Sequence, residues 1–390
     1  MKINNLYVGG WFQRTMLQLT EIYDFVRGDK SKLKLNQNKL DNLREALHIA
    51  SVEYNVSGQE YVKVDTSDGF IIKVFEDGLI TLNKPTTSVE NLFVDLNTMT
   101  EYYETKLAAA INYLFSLGAP VPKDMAHIEN VYPYFVVCED SSLDEMRELL
   151  EKTDKQKFFE FTCDKYSVVR GEKYYFVNNR KSTQPIIERY IEEQIFIREF
   201  KDQLHKYLNI HRNVWEKIDN IKAKKSVKGS DIVKITTKLD NYSQTITLIE
   251  GRIDQMSTYI DTRATIAKND PGLKEFLAMS GYRYDTLKNT LDYIKSLWIM
   301  TKNHLSTVQR TYNSLQNKVT NRSVKSLTIV STMNAAAAVL GLLLKSDAKF
   351  TWFGLTYFLF VVLLCIGSMH FLKKLADKST YLISDADNEN

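Results

Sequence analysis

Two apolar runs lying close together constrain this chain more than any other feature. Leu327 to Leu344 is 18 residues without a charge. Phe350 to Leu372 is 23 residues free of Lys, Arg, Asp and Glu, with His370 as its one histidine. A helix needs about 20 apolar residues to cross a hydrocarbon core, so both runs read as membrane spans. Lys345-Ser346-Asp347-Ala348-Lys349 would be the loop between them. Lys318, Arg322 and Lys325 precede the pair, and Lys373, Lys374 and Lys378 follow it. Lys and Arg accumulate on the inner side of a membrane, which predicts a two-helix transmembrane hairpin with both N- and C-termini cytoplasmic. A multi-pass protein of a bacterial inner membrane, in contact with the lipid bilayer, is the expectation.

The rest of the sequence excludes several classes. Met1 to Gly10 lack a long apolar segment, so no cleaved leader is expected. Cys138, Cys163 and Cys365 have no paired spacing, which points to a reducing compartment. A net charge of +3 is nearly balanced and gives no sign of a nucleic-acid-binding surface.

Upstream of the first run, residues recur at alternating steps of four and three: Leu287, Leu291, Ile294, Trp298, Thr301, Leu305, Val308, Tyr312, Leu315 and Val319. This seven-residue repeat describes a coiled-coil seam or the inner face of a bundle. One helix is predicted from just after Pro271-Gly272 to about Leu344, about 100 Å long at 1.5 Å per residue. A second heptad runs Ile232, Ile235, Leu239, Tyr242, Ile246, Ile249, Ile253, Met256 and Ile260, with Ser230 as a candidate N-cap. A third amphipathic stretch covers Ile186 to Lys225.

The first 185 residues alternate short β-rich runs with helical patterns. Strands are expected at 61–64, 70–75, 79–82, 132–138, 158–162, 168–169 and 174–177, the last two around an Arg170-Gly171-Glu172 turn. Helices are expected at 16–26, 39–52, 88–117 and 142–152, the last opened by a Ser142/Glu145 capping box. The pattern predicts one α/β domain with a mixed sheet. The expected organisation is an α/β cytoplasmic domain over 1–185 acting as a ligand sensor and a helical hairpin over 186–268. A stalk helix over 272–326 follows, then spans at 327–344 and 350–372, and a tail over 373–390.

Motifs that would carry catalysis are missing: no phosphate-cradling glycine loop, metalloprotease helix, nucleophile elbow or Cys-X-X-Cys occurs. An enzyme is not expected, and no metal site can be assigned. One local string stands out, Gly9-Gly10-Trp11-Phe12-Gln13-Arg14. Gly9 and Gly10 allow close backbone approach, Trp11 offers a stacking face and Arg14 could pair with a phosphate. The same string also reads as strand, turn and core filling.

The order of these parts resembles the CorA metal-ion transporter superfamily, most closely in Lys325-Ser326-Leu327-Thr328-Ile329-Val330-Ser331-Thr332 and in Phe371-Leu372-Lys373-Lys374. The resemblance implies a homopentamer with the first span lining a pore. Carried over by position, the pore face would be Asn321, Leu327, Ser331, Ala335 and Ala338, with Asn334 beside it; continuing the stalk seam instead gives Arg322, Ser326, Ile329, Met333 and Leu340. The family's Gly-Met-Asn signature is replaced here by Lys345-Ser346-Asp347, which counts against a divalent-cation filter and leaves the permeant ion unassigned. The opening Asn5-Leu6-Tyr7-Val8-Gly9-Gly10-Trp11-Phe12-Gln13-Arg14-Thr15 resembles a branch found beside type III CRISPR systems. That resemblance implies an antiviral channel gated by a small nucleotide second messenger, such as an S-adenosylmethionine–AMP conjugate. A housekeeping Mg/Co/Zn transporter and a non-conducting membrane coiled-coil tether are the alternatives.

Overall fold

The computed structural model describes residues 2–13, 17–30, 34–56, 59–86, 88–115, 133–154, 156–181, 183–343 and 379–383, with isolated positions between 352 and 374. The chain divides into two compact units. The first comprises Met1–Leu208 and Leu248–Lys295, the second Asn209–Thr247 and Ser296–Asn390.

The first unit is built on a sheet. Its elements are β1 (Lys2–Trp11), α1 (Leu19–Arg27), α2 (Gln37–Ala46), β2 (Ile49–Asn55), β3 (Tyr61–Thr66), β4 (Ile71–Phe75) and β5 (Leu79–Pro85). Helix α3 (Leu92–Glu101) passes through a π-helical turn at Tyr102–Leu107 into α4 (Ala108–Phe115). Then come β6 (Tyr134–Glu139), α5 (Leu143–Thr153), β7 (Phe159–Thr162), β8 (Tyr166–Arg170) and β9 (Tyr174–Asn179). The nine strands lie in the order β2-β3-β4-β5-β1-β6-β9-β8-β7. Among the described strands only β6 and β9 pair in parallel, so the sheet is mixed as the alternating pattern predicts.

Period-two alternation divides the strands between two faces. Val62 and Val64 of β3, Ile72 and Val74 of β4, and Ile80 and Leu82 of β5 join the core cluster that includes α1–α5 residues. The intervening Tyr61, Lys63, Ile71, Lys73, Thr81 and Asn83 line a cavity together with residues from a long helix, α6 (Gln184–Lys222). Ser142 caps α5 through the expected reciprocal box with Glu145. Residues 39–52 are not one helix as expected. Helix α2 stops at Ala46, His48 takes φ 50°, and the chain turns into β2.

After α6 come β10 (Ser226–Lys228), α7 (Gly229–Asn269), a 3₁₀ turn at Pro271–Leu273, α8 (Lys274–Ser280), α9 (Tyr282–Leu343) and β11 (Thr380–Leu382). The expected single helix beyond Pro271 is therefore interrupted at Gly281. The nine heptad positions from Leu287 to Leu315 are all buried, as are Ile232, Ile246, Ile249, Ile253, Met256 and Ile260 of α7. In the first unit Lys288 and Lys295 of α9 pair with Asp261 and Asp254 of α7, the descending order of an antiparallel pair. In the second unit the Trp215 ring stacks on His304, with centroids 4.5 Å apart, and β10 pairs antiparallel with β11.

The membrane part of the expected fold requires correction. Among the described residues no helix is long and apolar enough to cross a membrane. This overturns the two-span transmembrane hairpin, the membrane-channel description and the multi-pass inner-membrane localisation drawn from it. The described part of the first run is the end of α9, where Thr328, Ser331, Thr332 and Asn334 interrupt the apolar residues. The 345–349 loop lies outside the described residues, as does the 350–372 run apart from isolated positions.

Candidate ligand pocket

The first unit contains a cavity of about 500 Å³ whose lining is strongly basic. Three parts of the chain build it. Arg170 ends β8 and lies opposite Tyr175 of β9 in the antiparallel register, with its guanidinium carbon 4.9 Å from the Tyr175 ring centroid. Helix α6 contributes Gln194, Arg198, Lys201, Asp202 and His205, a spacing that keeps them on one helical face. Helix α9 contributes Tyr282, Arg283, Thr286 and Thr290, again one face. Ile197, Leu204 and Leu287 give the cavity an apolar floor.

Its electrostatics are one-sided. Arg170, Arg198, Lys201, Arg283 and His205 face a single carboxylate, Asp202. Arg198 reaches Asp202 at 3.8 Å, and Arg283 donates to the Gln194 side-chain carbonyl at 3.2 Å. Lys201 and His205 have no acidic partner among the described residues. Arg170 Nε is buried and makes no hydrogen bond, a costly state for a charged donor. Burial raises the Tyr175 pKa, while Arg170, Arg283 and Arg198 pull it down, so three guanidinium groups act on one buried ring. Such a site is suited to hold an anion carrying a planar or apolar group: bidentate guanidinium donors for the charge, and Tyr282, 65% exposed, at the rim.

The glycine-tryptophan string lies elsewhere in this unit. Gly9 and Gly10 are buried within β1, not in a turn. A Cβ on Gly9 would come within 2.4 Å of the Ile80 carbonyl oxygen and 3.0 Å of Ile195, so this glycine permits α6 to approach the sheet. Trp11 is buried against Phe196, Phe200 and Tyr259, and its Nε1 donates to the Asp77 carbonyl at 2.9 Å. Arg14 lies outside the described residues. Of the residues assigned to a pore face, Asn321, Leu327, Ser331, Ala335 and Ala338 are exposed on the last third of α9, and Asn334 is half-buried. Among the described residues no group of three or more His, Cys, Asp or Glu is placed to hold a metal ion.

Compared with known protein families and with curated proteins, the sequence matches none. The CorA resemblance therefore rests on the sequence pattern alone. The basic pocket carries no sequence signature, because its residues are scattered from Arg170 to Thr290. The one local signal is the spacing of Arg198, Lys201 and His205 along α6.

Proposed function

We propose that this chain is a non-catalytic, ligand-responsive effector whose α/β unit binds a small anionic nucleotide in the basic pocket. The observation that carries the reading is the convergence of four permanent cations and one histidine on a cavity with a single carboxylate. An S-adenosylmethionine–AMP conjugate, implied by the resemblance to CRISPR-associated proteins, belongs to the ligand class this chemistry suits. Two of the walls are α6 and α9, helices of 39 and 62 residues, so a ligand bridging Arg198 and Arg283 bears on elements that extend far along the chain. Homopentamer formation, also implied by the resemblance, is part of the proposal. The ligand shifts the conformational balance only by its difference in affinity for the two states.

The test is titration of the full chain with adenine nucleotides, followed by hydrogen exchange and light scattering. Saturable binding with added protection at 194–208 and 282–290 is expected. Nucleotide binding that leaves exchange in both segments unchanged contradicts the effector reading.

A further inference from the structure

A second cleft lies on the sheet face opposite the α1–α5 core. It consists of cavities of about 310 and 710 Å³ that share Tyr61, Lys73, Glu188 and Glu192. Its floor follows from strand register. Ile71 lies opposite Asn83, Asn83 lies opposite Tyr7, and Lys73 lies opposite both Lys63 and Thr81.

The hydrogen-bond inventory of the inner cavity leaves acceptors over. Both lysines are committed: Lys73 Nζ sits 2.5 Å from Glu188 and 3.8 Å from Glu192, and Lys63 is 3.3 Å from Asp65 and 3.6 Å from Glu53. The Tyr7 hydroxyl donates to Glu188 at 3.1 Å and accepts from Gln184 at 2.8 Å. Asn83 Oδ1 has no partner, although the residue is only 8% exposed. Glu192 is equally buried, and its one close cation, Lys73, is held nearer to Glu188. Asn83 and Glu192 both line this cavity, and a buried amide oxygen without a partner beside a buried carboxyl calls for a donor-rich cation.

The geometry points to a second ligand site, in which Asn83 Oδ1 and the Glu192 carboxylate accept hydrogen bonds from the ammonium group of an aliphatic polyamine-type ligand. The adjoining cavity of about 710 Å³ would take the rest of the chain, along the apolar side chains of Phe75, Ile266 and Leu273.

The site should sense pH through Glu192. Burial raises its carboxyl pKa to about 7. Lys73 of β4 and Arg263 of α7 oppose that shift, Glu188 and Glu193 on its own helix add to it, and the Tyr7 hydroxyl faces it from β1. A ligand ammonium needs the ionised form. Affinity should therefore rise with pH, by up to about tenfold from one unit below that pKa to one unit above.

Calorimetric titration of the full chain with spermidine, at pH 6 and pH 8, tests this. Saturable binding, tighter at the higher pH, is expected. Glu192→Gln should weaken it and abolish the pH dependence, and Asn83→Leu should weaken it while keeping the pH dependence. Glu53→Gln, on an exposed strand position, gives a third variant that should weaken binding slightly without disturbing the fold. Absence of saturable binding at both pH values, or affinity unchanged in all three variants, overturns the proposal. Arg283→Ala in the basic pocket should leave spermidine binding intact, so this site and the nucleotide reading fail separately.

Discussion

Arg263 and Asp77 stand 186 positions apart in sequence and meet in a two-pronged ion pair, Nε and Nη2 of the guanidinium each donating to one carboxylate oxygen. Nη1 donates to Glu193 at 2.9 Å, and the Tyr284 hydroxyl donates to the other Glu193 oxygen. The hairpin between β4 and β5 is thereby tied to α6, α7 and α9 through one side chain that is 1% exposed. Burial opposes the charged guanidinium, but Asp77 and Glu193 outweigh it and raise its pKa.

Arg263→Met should therefore destabilise the protein severely. It leaves Asp77 and Glu193 without their cation, at a cost of about 3–5 kcal/mol. Urea unfolding measures this, and a loss below about 1 kcal/mol contradicts the role given to Arg263.

Gly9→Ala should also be costly. Its Cβ would strike the Ile80 carbonyl oxygen, a backbone atom that cannot move without shifting the β1–β5 ladder. A loss of about 1–3 kcal/mol is expected from overpacking. A thermal midpoint equal to that of the parent rules out a tight α6–sheet approach at this point.

Glu199 gives stability a pH dependence. Burial raises its pKa to about 8, against Arg198 and Lys206. Because the folded value lies above the unfolded one of 4.5, the folded state holds the proton more tightly. That stabilisation is fully present below the unfolded pKa and is lost as pH rises through about 8. Glu199→Gln should flatten the fall in stability between pH 5 and pH 9. An identical slope in both proteins argues against a buried carboxyl here.

Ligand binding in the basic pocket should weaken with salt, since Arg198, Lys201 and Arg283 act through partly screened charge. Affinity that does not change between low and physiological ionic strength would point to a ligand held by apolar contacts alone.

Local signals carried much of the architecture. Alternation of Val62, Val64, Ile72 and Val74 with Lys63 and Lys73 marked β3 and β4, and the Ser142/Glu145 spacing marked the start of α5. The step-four, step-three series from Leu287 identified residues that are buried on α9. Strand β2 escaped because its boundary depends on the left-handed backbone at His48, where no glycine marks the turn. Apolar composition over 327–344 suggested a membrane span, and among the described residues no helix qualifies as one. The basic pocket was invisible for a different reason. Arg170, Arg198 and Arg283 converge only after a strand and two long helices are brought together, and sequence spacing does not encode that meeting. The glycine-tryptophan string drew notice for its composition, yet Gly9 and Trp11 serve the packing of α6.

Binding of a small anionic nucleotide in the basic pocket is best judged by comparing affinities. Isothermal titration of the full chain with an adenine nucleotide would be set beside Lys201→Ala and Arg283→Ala, each checked for an unchanged unfolding midpoint. Saturable binding is expected, falling by about tenfold or more in each variant, the loss that follows from removing one charge-assisted contact. No saturable binding, or equal affinity in all three proteins, would contradict it.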